Sequence, residues 1–185
     1  MGQLVYSMFV SLVGYIATPD GGLDWSFPDA QVHRFVNDQA RELGASLYGR
    51  RLYELMAAYW PTVEEGPGVP EVEVDFARVW RATPRIVFSR TLEQAEWSSR
   101  LVRENAAEEV ARLKEQVSGD MEVGGPTLAA ELIRHGLVDE YRMFVFPVVL
   151  GRGLPFFPAL DAPLDLHLVE TRAFDSGVVY LRHRI

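Results

Sequence analysis

The sequence predicts an α/β fold: three layers, with helices on both faces of a central mixed sheet and an antiparallel hairpin at the C-terminal end. Three observations predict it. Apolar, strand-like runs alternate with amphipathic stretches of helical period. Glycines punctuate two strand-to-helix junctions, at Gly49 and at Gly124-Gly125. The last segments, 165–174 and 178–185, alternate around Asp175-Ser176-Gly177, a hairpin turn signal.

Leu4, Tyr6, Met8 and Val10, with apolar residues between them, describe a strand buried on both faces. Pro28 and Asp29 open a helix whose inward stripe is Val32, Phe35, Val36 and Leu43, with Asp29 as its N-cap. ASLYGRRLYELMAAYW reads as a short strand, a turn at Gly49 and a second helix carrying Leu52, Leu55, Met56 and Tyr59. From Pro61 to Glu73, prolines, glycines and glutamates predict a solvated surface loop. PRIVFSRT is the next strand and its exit. Glu104 to Val117 is an amphipathic helix with Ala106, Val110, Leu113 and Val117 inward. DMEVGGPTLAAELIRHG repeats the strand-turn-helix design and stops at Gly136, a left-handed C-cap. DEYRMFVFPVVLG is a further buried strand.

With 185 residues the chain suits one domain, residues 1–185, with 48% hydrophobic and 24% charged residues as in ordinary globular proteins. A net charge of -8 argues against a sequence-independent grip on nucleic acid, which depends on basic side chains. The absence of cysteine excludes disulfides, zinc-thiolate sites and cysteine nucleophiles, and fits a reducing cytoplasm. The apolar start lacks the basic region of a targeting segment, and no run approaches the roughly 20 apolar residues of a membrane helix. The histidines have no metal-ligand spacing, so no metal is expected. Neither a G-x-S-x-G elbow nor a P-loop is present, and Lys114, the single lysine, is read on a polar helix face.

Three corners carry the chemistry. Gly124, Gly125, Pro126, Thr127 and Leu128 combine backbone access with a proline at the first helical position and a helix N-terminus that favours an anion. Gly49, Arg50 and Arg51 offer guanidiniums at a second corner, and Ser89, Arg90 and Thr91 offer hydroxyls and a guanidinium at a third. Taken alone, each of the first two is equally a plain turn, and the third is more often a capped turn than a site. Ligands of open α/β sheets bind beyond the carboxyl ends of strands, so one extended, phosphorylated dinucleotide would touch all three. Asp38, beside His33 and Asn37 on the first helix, is the candidate proton source for a cleft near the first strand, and a solvated helix face explains it equally. Trp25 and Tyr53 are candidate stacking residues.

Taken together, SLVGYIATPDGGLDW, LYGRRLYELMAAYW, IVFSRTLEQAEW, VGGPTLAAELIRHGLVDEYRMFVFPVVLGRGLPFF and LVETRAFDSGVVYLR resemble the dihydrofolate reductase-like superfamily, in particular the branch of the riboflavin biosynthesis reductase domain. The resemblance implies that fold, NADPH as hydride donor, a homodimer, and a small heterocyclic or carbonyl/imine substrate of pterin or pyrimidine type. It places the adenosine phosphate end on the Gly49 and Ser89 corners, the pyrophosphate on Gly124 to Leu128, and Ile16 and Ala17 beside the nicotinamide. Relatives usually carry aspartate where Val13 stands and histidine where Phe146 stands, and the classical reductases carry threonine where Leu52 stands. A nucleotide-binding protein without turnover, and a structural dimer module without ligand, therefore remain open beside the reductase.

Overall fold

The chain is described by a computed structural model covering residues 2–185. Strand β1 (Leu4–Ser11) is central, and the eight-stranded sheet has the order β5-β4-β3-β6-β1-β7-β10-β9. The strands β3 (Leu43–Gly49), β4 (Arg85–Phe88), β5 (Arg100–Val102), β6 (Asp120–Gly124) and β7 (Glu140–Phe146) all run parallel to β1. The hairpin of β9 (His167–Ala173) and β10 (Val179–Arg184) closes the sheet antiparallel to β7. A small ribbon pairs β2 (Tyr15–Ala17) with β8 (Leu154–Pro155).

Helices fill the parallel crossovers except the one from β4 to β5, which is a loop. The five are α1 (Ala30–Arg41), α2 (Arg50–Tyr59), α3 (Glu71–Ala82), α4 (Ala106–Gln116) and α5 (Pro126–Arg134). Asp29 caps α1 as expected, accepting from the Val32 amide at 2.8 Å. One face of the sheet, through Leu4, Tyr6, Leu47, Met121 and Val123, packs with residues of α4 and α5 and with Phe156. On the other face, Val32 and Phe35 of α1 join Phe144, Phe146 and Tyr180 in a second core.

Three expectations are corrected. Residues 71–73 belong to α3 rather than to a loop: Val72, Val74, Ala77, Val79 and Trp80 are buried on this helix. Leu43 opens β3 and lies outside the α1 stripe. Lys114 is mostly buried; its Nζ donates to Asp139 Oδ2 at 2.6 Å and to the Leu137 carbonyl at 3.0 Å, so the ammonium ties α4 to the turn before β7.

Candidate functional site

Because β4, β3 and β6 are adjacent and parallel, their carboxyl ends share one edge. Gly49 lies opposite Phe88, and Tyr48 opposite Gly124. The corners at 49–51, 89–91 and 124–128 therefore stand side by side. Helices α2 and α5 start at this edge with Gly49 and Gly125 as N-caps, and neither start carries a side-chain cap among the described residues. Gly125 adopts φ +100°, and a Cβ there would sit 3.6 Å from the Gly49 nitrogen. The positive φ, which glycine adopts without strain, brings two helix N-termini together, each with unsatisfied amides and a positive dipole end, which is the arrangement an anion needs.

The third corner is partly self-satisfied. Ser89 Oγ accepts from the amides of Thr91 at 3.3 Å and Leu92 at 3.0 Å, so its hydroxyl already organises its own turn. Arg50 Nη1 donates to Thr91 Oγ1 at 2.7 Å while its Nε donates to Glu54 at 2.8 Å. Arg51 and Arg90 are exposed. Beside this link an open groove of about 520 Å³ runs between α2 and the loop after β4. Tyr53 is 4% exposed, and its hydroxyl donates to the Glu96 carbonyl and accepts from the Glu96 amide. Its ring holds the loop, which corrects the expectation of a stacking face. Leu52 crowds Gly124 so closely that any side chain there would collide with it.

At the other end of the edge, Ile16 and Ala17 are buried in the β2–β8 ribbon, where Gly153 passes so close to the Ala17 carbonyl that a Cβ would collide. Val13 is 50% exposed at the turn after β1. Trp25 meets Phe146 edge-to-face at 5.9 Å, and Phe9 meets Phe146 at 5.1 Å. The Trp25 Nε1 is buried without a hydrogen-bond partner among the described residues.

The α1 residues separate. Asp38, with its side chain 72% exposed, pairs with Arg41 at 2.6 Å. Asn37 is fully buried and donates to the Val72 carbonyl at 2.9 Å and to Asp75 at 2.7 Å, fastening α1 to α3. The structure therefore corrects their expected place in a cleft. His33 meets Trp60 edge-on at 6.0 Å and Phe76 at a tilt at 5.9 Å, and burial pushes its pKa down against the pull of Glu73 and Asp75.

A feature absent from the sequence reading lies between β1 and β6. On the α1 side of the sheet, Ser46, Tyr48, Arg142 and Phe144 are buried, yet Ser7, Phe9 and Glu122 keep partial solvent access. Both strands are central, so this opening is a cleft floor rather than a sheet edge. Burial pushes the Glu122 carboxyl up to about 7, while Arg142 and the nearby Ser7 hydroxyl oppose the rise. Glu122 sits two residues before Gly124, about 7 Å along the strand from the glycine corner. The alternation Met121-Glu122-Val123 suggests an outward charge, and only the fold brings Ser7 and Arg142 to it.

Among the described residues no group of acidic or histidine side chains is arranged to hold a metal, and no helix is long and apolar enough to cross a membrane. Residues 3–180 match the family model described as the RibD C-terminal domain. The chain is 33% identical over 182 residues to the uncharacterized protein YyaP of Bacillus subtilis (strain 168), covering 97% of this chain and 93% of YyaP. A Shewanella sp. PV-4 protein assigned to riboflavin biosynthesis superposes with a TM-score of 0.76 at 20% identity, over 100% of this chain and 98% of the other. A dihydrofolate reductase from Enterococcus faecalis complexed with NADP(H) superposes with a TM-score of 0.67 at 18% identity, over 99% and 96%. These likenesses bear out the expected dihydrofolate reductase-like α/β fold.

Proposed function

Since the chain belongs to the RibD C-terminal domain family, we propose that it is an NADPH-dependent reductase of a small heterocyclic or carbonyl/imine compound, acting as a cytoplasmic homodimer. The observation that carries this reading is the pair of side-chain-free helix N-termini at Gly49 and Gly125, joined through Arg50 to the Thr91 corner. A dinucleotide carrying an extra phosphate matches that layout: pyrophosphate on the amides of 125–128, and the terminal phosphate against Arg50, Arg51 and Arg90. Thr91 would serve by orienting Arg50, and Ser89 by shaping the turn. Ile16 and Ala17 would flank the nicotinamide. When bound, the cofactor supplies the hydride; the chain's part is to position, to exclude water and to manage the proton. The dimer draws support from the edge strand β9, where Leu168 and Val169 are exposed.

Tryptophan fluorescence tests the cofactor. NADPH should quench it and raise the thermal midpoint, with NADH much weaker; an equal response to both removes the phosphate assignment. NADPH oxidation across pterins, pyrimidines and other C=N or C=O compounds then tests turnover. The second reading, binding without turnover, is favoured by Val13 and by Phe146, which sits 5% exposed in an aromatic cluster where relatives carry a histidine. Tight NADPH binding with no oxidation across the panel would select it.

A further inference from the structure

We propose that Glu122 is the carboxyl group that meets the substrate in this cleft and exchanges a proton with it, with the Ser7 hydroxyl nearby on the same face of the sheet. The proposal rests on the reductase reading for its chemistry, and on the opening beside β1 and β6 for its geometry. Three same-face residues of two central strands, Ser7, Phe9 and Glu122, reach solvent while the flanking strands are covered. One is an aromatic ring, one a hydroxyl and one an acid. A flat substrate lying on Phe9 would present its edge to Glu122, close to the glycine corner of the same strand.

The other acids near the cleft are already engaged. Asp38 faces solvent with Arg41, Asp75 is held by Arg41 and Asn37, and Glu140 is held by three arginines. Reduction of a C=N bond by a dihydronicotinamide puts hydride on carbon and moves the π pair to nitrogen. Nitrogen then needs a proton: the Glu122 O–H bond breaks, an N–H bond forms, and the carboxylate left behind faces Arg142. Water returns the proton. Arg142 on β7 and the Ser7 hydroxyl on β1 act on Glu122, and Tyr48 on β3 feels its charge; Glu140 lies in the same row beyond Val5 and is held by Arg182, Arg184 and Arg142. Desolvation outweighs the pull of Arg142 and Ser7, so both forms of the carboxyl are populated near neutral pH, as a proton-exchanging group requires.

The test uses the full chain with carbon-13-labelled glutamate, as wild type, Glu122→Gln and Ser7→Ala. One carboxyl should titrate near 7 and vanish in Glu122→Gln. In Ser7→Ala its midpoint should move up, because the hydroxyl favours the ionised form. Adding 2-aminopyrimidine as a probe should shift this resonance and spare the other glutamates. A Glu122 that titrates with the surface glutamates, ignores Ser7→Ala, or is untouched by the probe overturns the proposal. In turnover, Glu122→Gln should bind NADPH within about twofold of wild type yet reduce C=N substrates about 10²–10⁴-fold more slowly, with a flat profile between about pH 6 and 8. Unchanged turnover in that variant rejects Glu122. Wild type failing to bind NADPH rejects the reductase reading instead, and the carboxyl titration then still decides whether Glu122 faces a ligand.

Discussion

Arg50 of α2 donates from Nη1 to Thr91 Oγ1 at 2.7 Å, so the corner after β3 and the corner after β4 are joined by one side chain. The same guanidinium is balanced by Glu54 at 2.8 Å, one helical turn away. It is thus pre-set toward the edge without being neutralised from both sides.

Replacing Arg50 by alanine should weaken NADPH about tenfold to a hundredfold, the effect of one lost charge-assisted hydrogen bond, and change NADH far less. Thr91→Val should do the same more mildly, by freeing Arg50 rather than removing it. Fluorescence titrations with the two coenzymes measure both. Equal losses for NADPH and NADH would mean that Arg50 does not meet the distinguishing phosphate.

At Gly125 the backbone angle of +100° lies where residues with a side chain are strained. Gly125→Ala should cost about 1–3 kcal/mol in chemical denaturation. It should also fill the gap before the Gly49 amide, so coenzyme affinity should fall even under conditions where the variant is fully folded. A variant that keeps its affinity would place the anion elsewhere.

Two glutamates on the α1 side of the sheet should respond to pH in opposite senses. Burial raises the Glu140 pKa, but Arg182, Arg184 and Arg142 overcome that and hold it below its ordinary 4.5. A depressed acid stabilises the fold above its unfolded pKa, and that contribution is lost as pH falls through the folded value. Glu122, raised from 4.5 to about 7, contributes below 4.5 and loses its contribution as pH rises through 7, by at most about 3 kcal/mol. Denaturation between about pH 4 and 8 should therefore show a falling limb that Glu122→Gln flattens. Glu140→Gln should cost about 3–5 kcal/mol near neutral pH, because three guanidiniums lose their buried counter-charge.

The alternation of strands and helices along the chain and the three turns after strands were legible because each is written locally, by turn residues and by period; the order of strands in the sheet was not. What stayed hidden depends on partners far apart in the chain. In EVEVDFARVWRA the apolar residues first alternate, as in a strand, before the helical spacing appears, so α3 was hidden behind the loop that precedes it. Lys114 resembles every other charge on an amphipathic helix until Asp139 comes to meet it. Asp38 and Asn37 are adjacent, and propensity does not say which of them points inward; α3 decides it by offering the Val72 carbonyl and Asp75 to Asn37. Glu122 acquires its environment only when β1 pairs with β6 and β7 pairs on the far side of β1.

Phe146→His tests what the aromatic cluster has given up. Burying an imidazole among Phe9, Trp25 and Phe144 would ordinarily cost about 1–3 kcal/mol, because its nitrogens lose water. Here the Trp25 Nε1 hydrogen is itself buried without an acceptor among the described residues, and the Trp25 and Phe146 rings stand perpendicular with centroids 5.9 Å apart. A neutral histidine offers one acceptor nitrogen, so two unsatisfied groups can cancel. The variant should lose less than about 1 kcal/mol, and the Trp25 indole proton should move downfield and exchange more slowly in nitrogen-15 spectra. The new imidazole should titrate below its ordinary value, since burial and the donated bond both favour the neutral ring. A full burial cost with an unmoved indole signal would show that Trp25 is turned away from position 146, and that the missing histidine had a different partner.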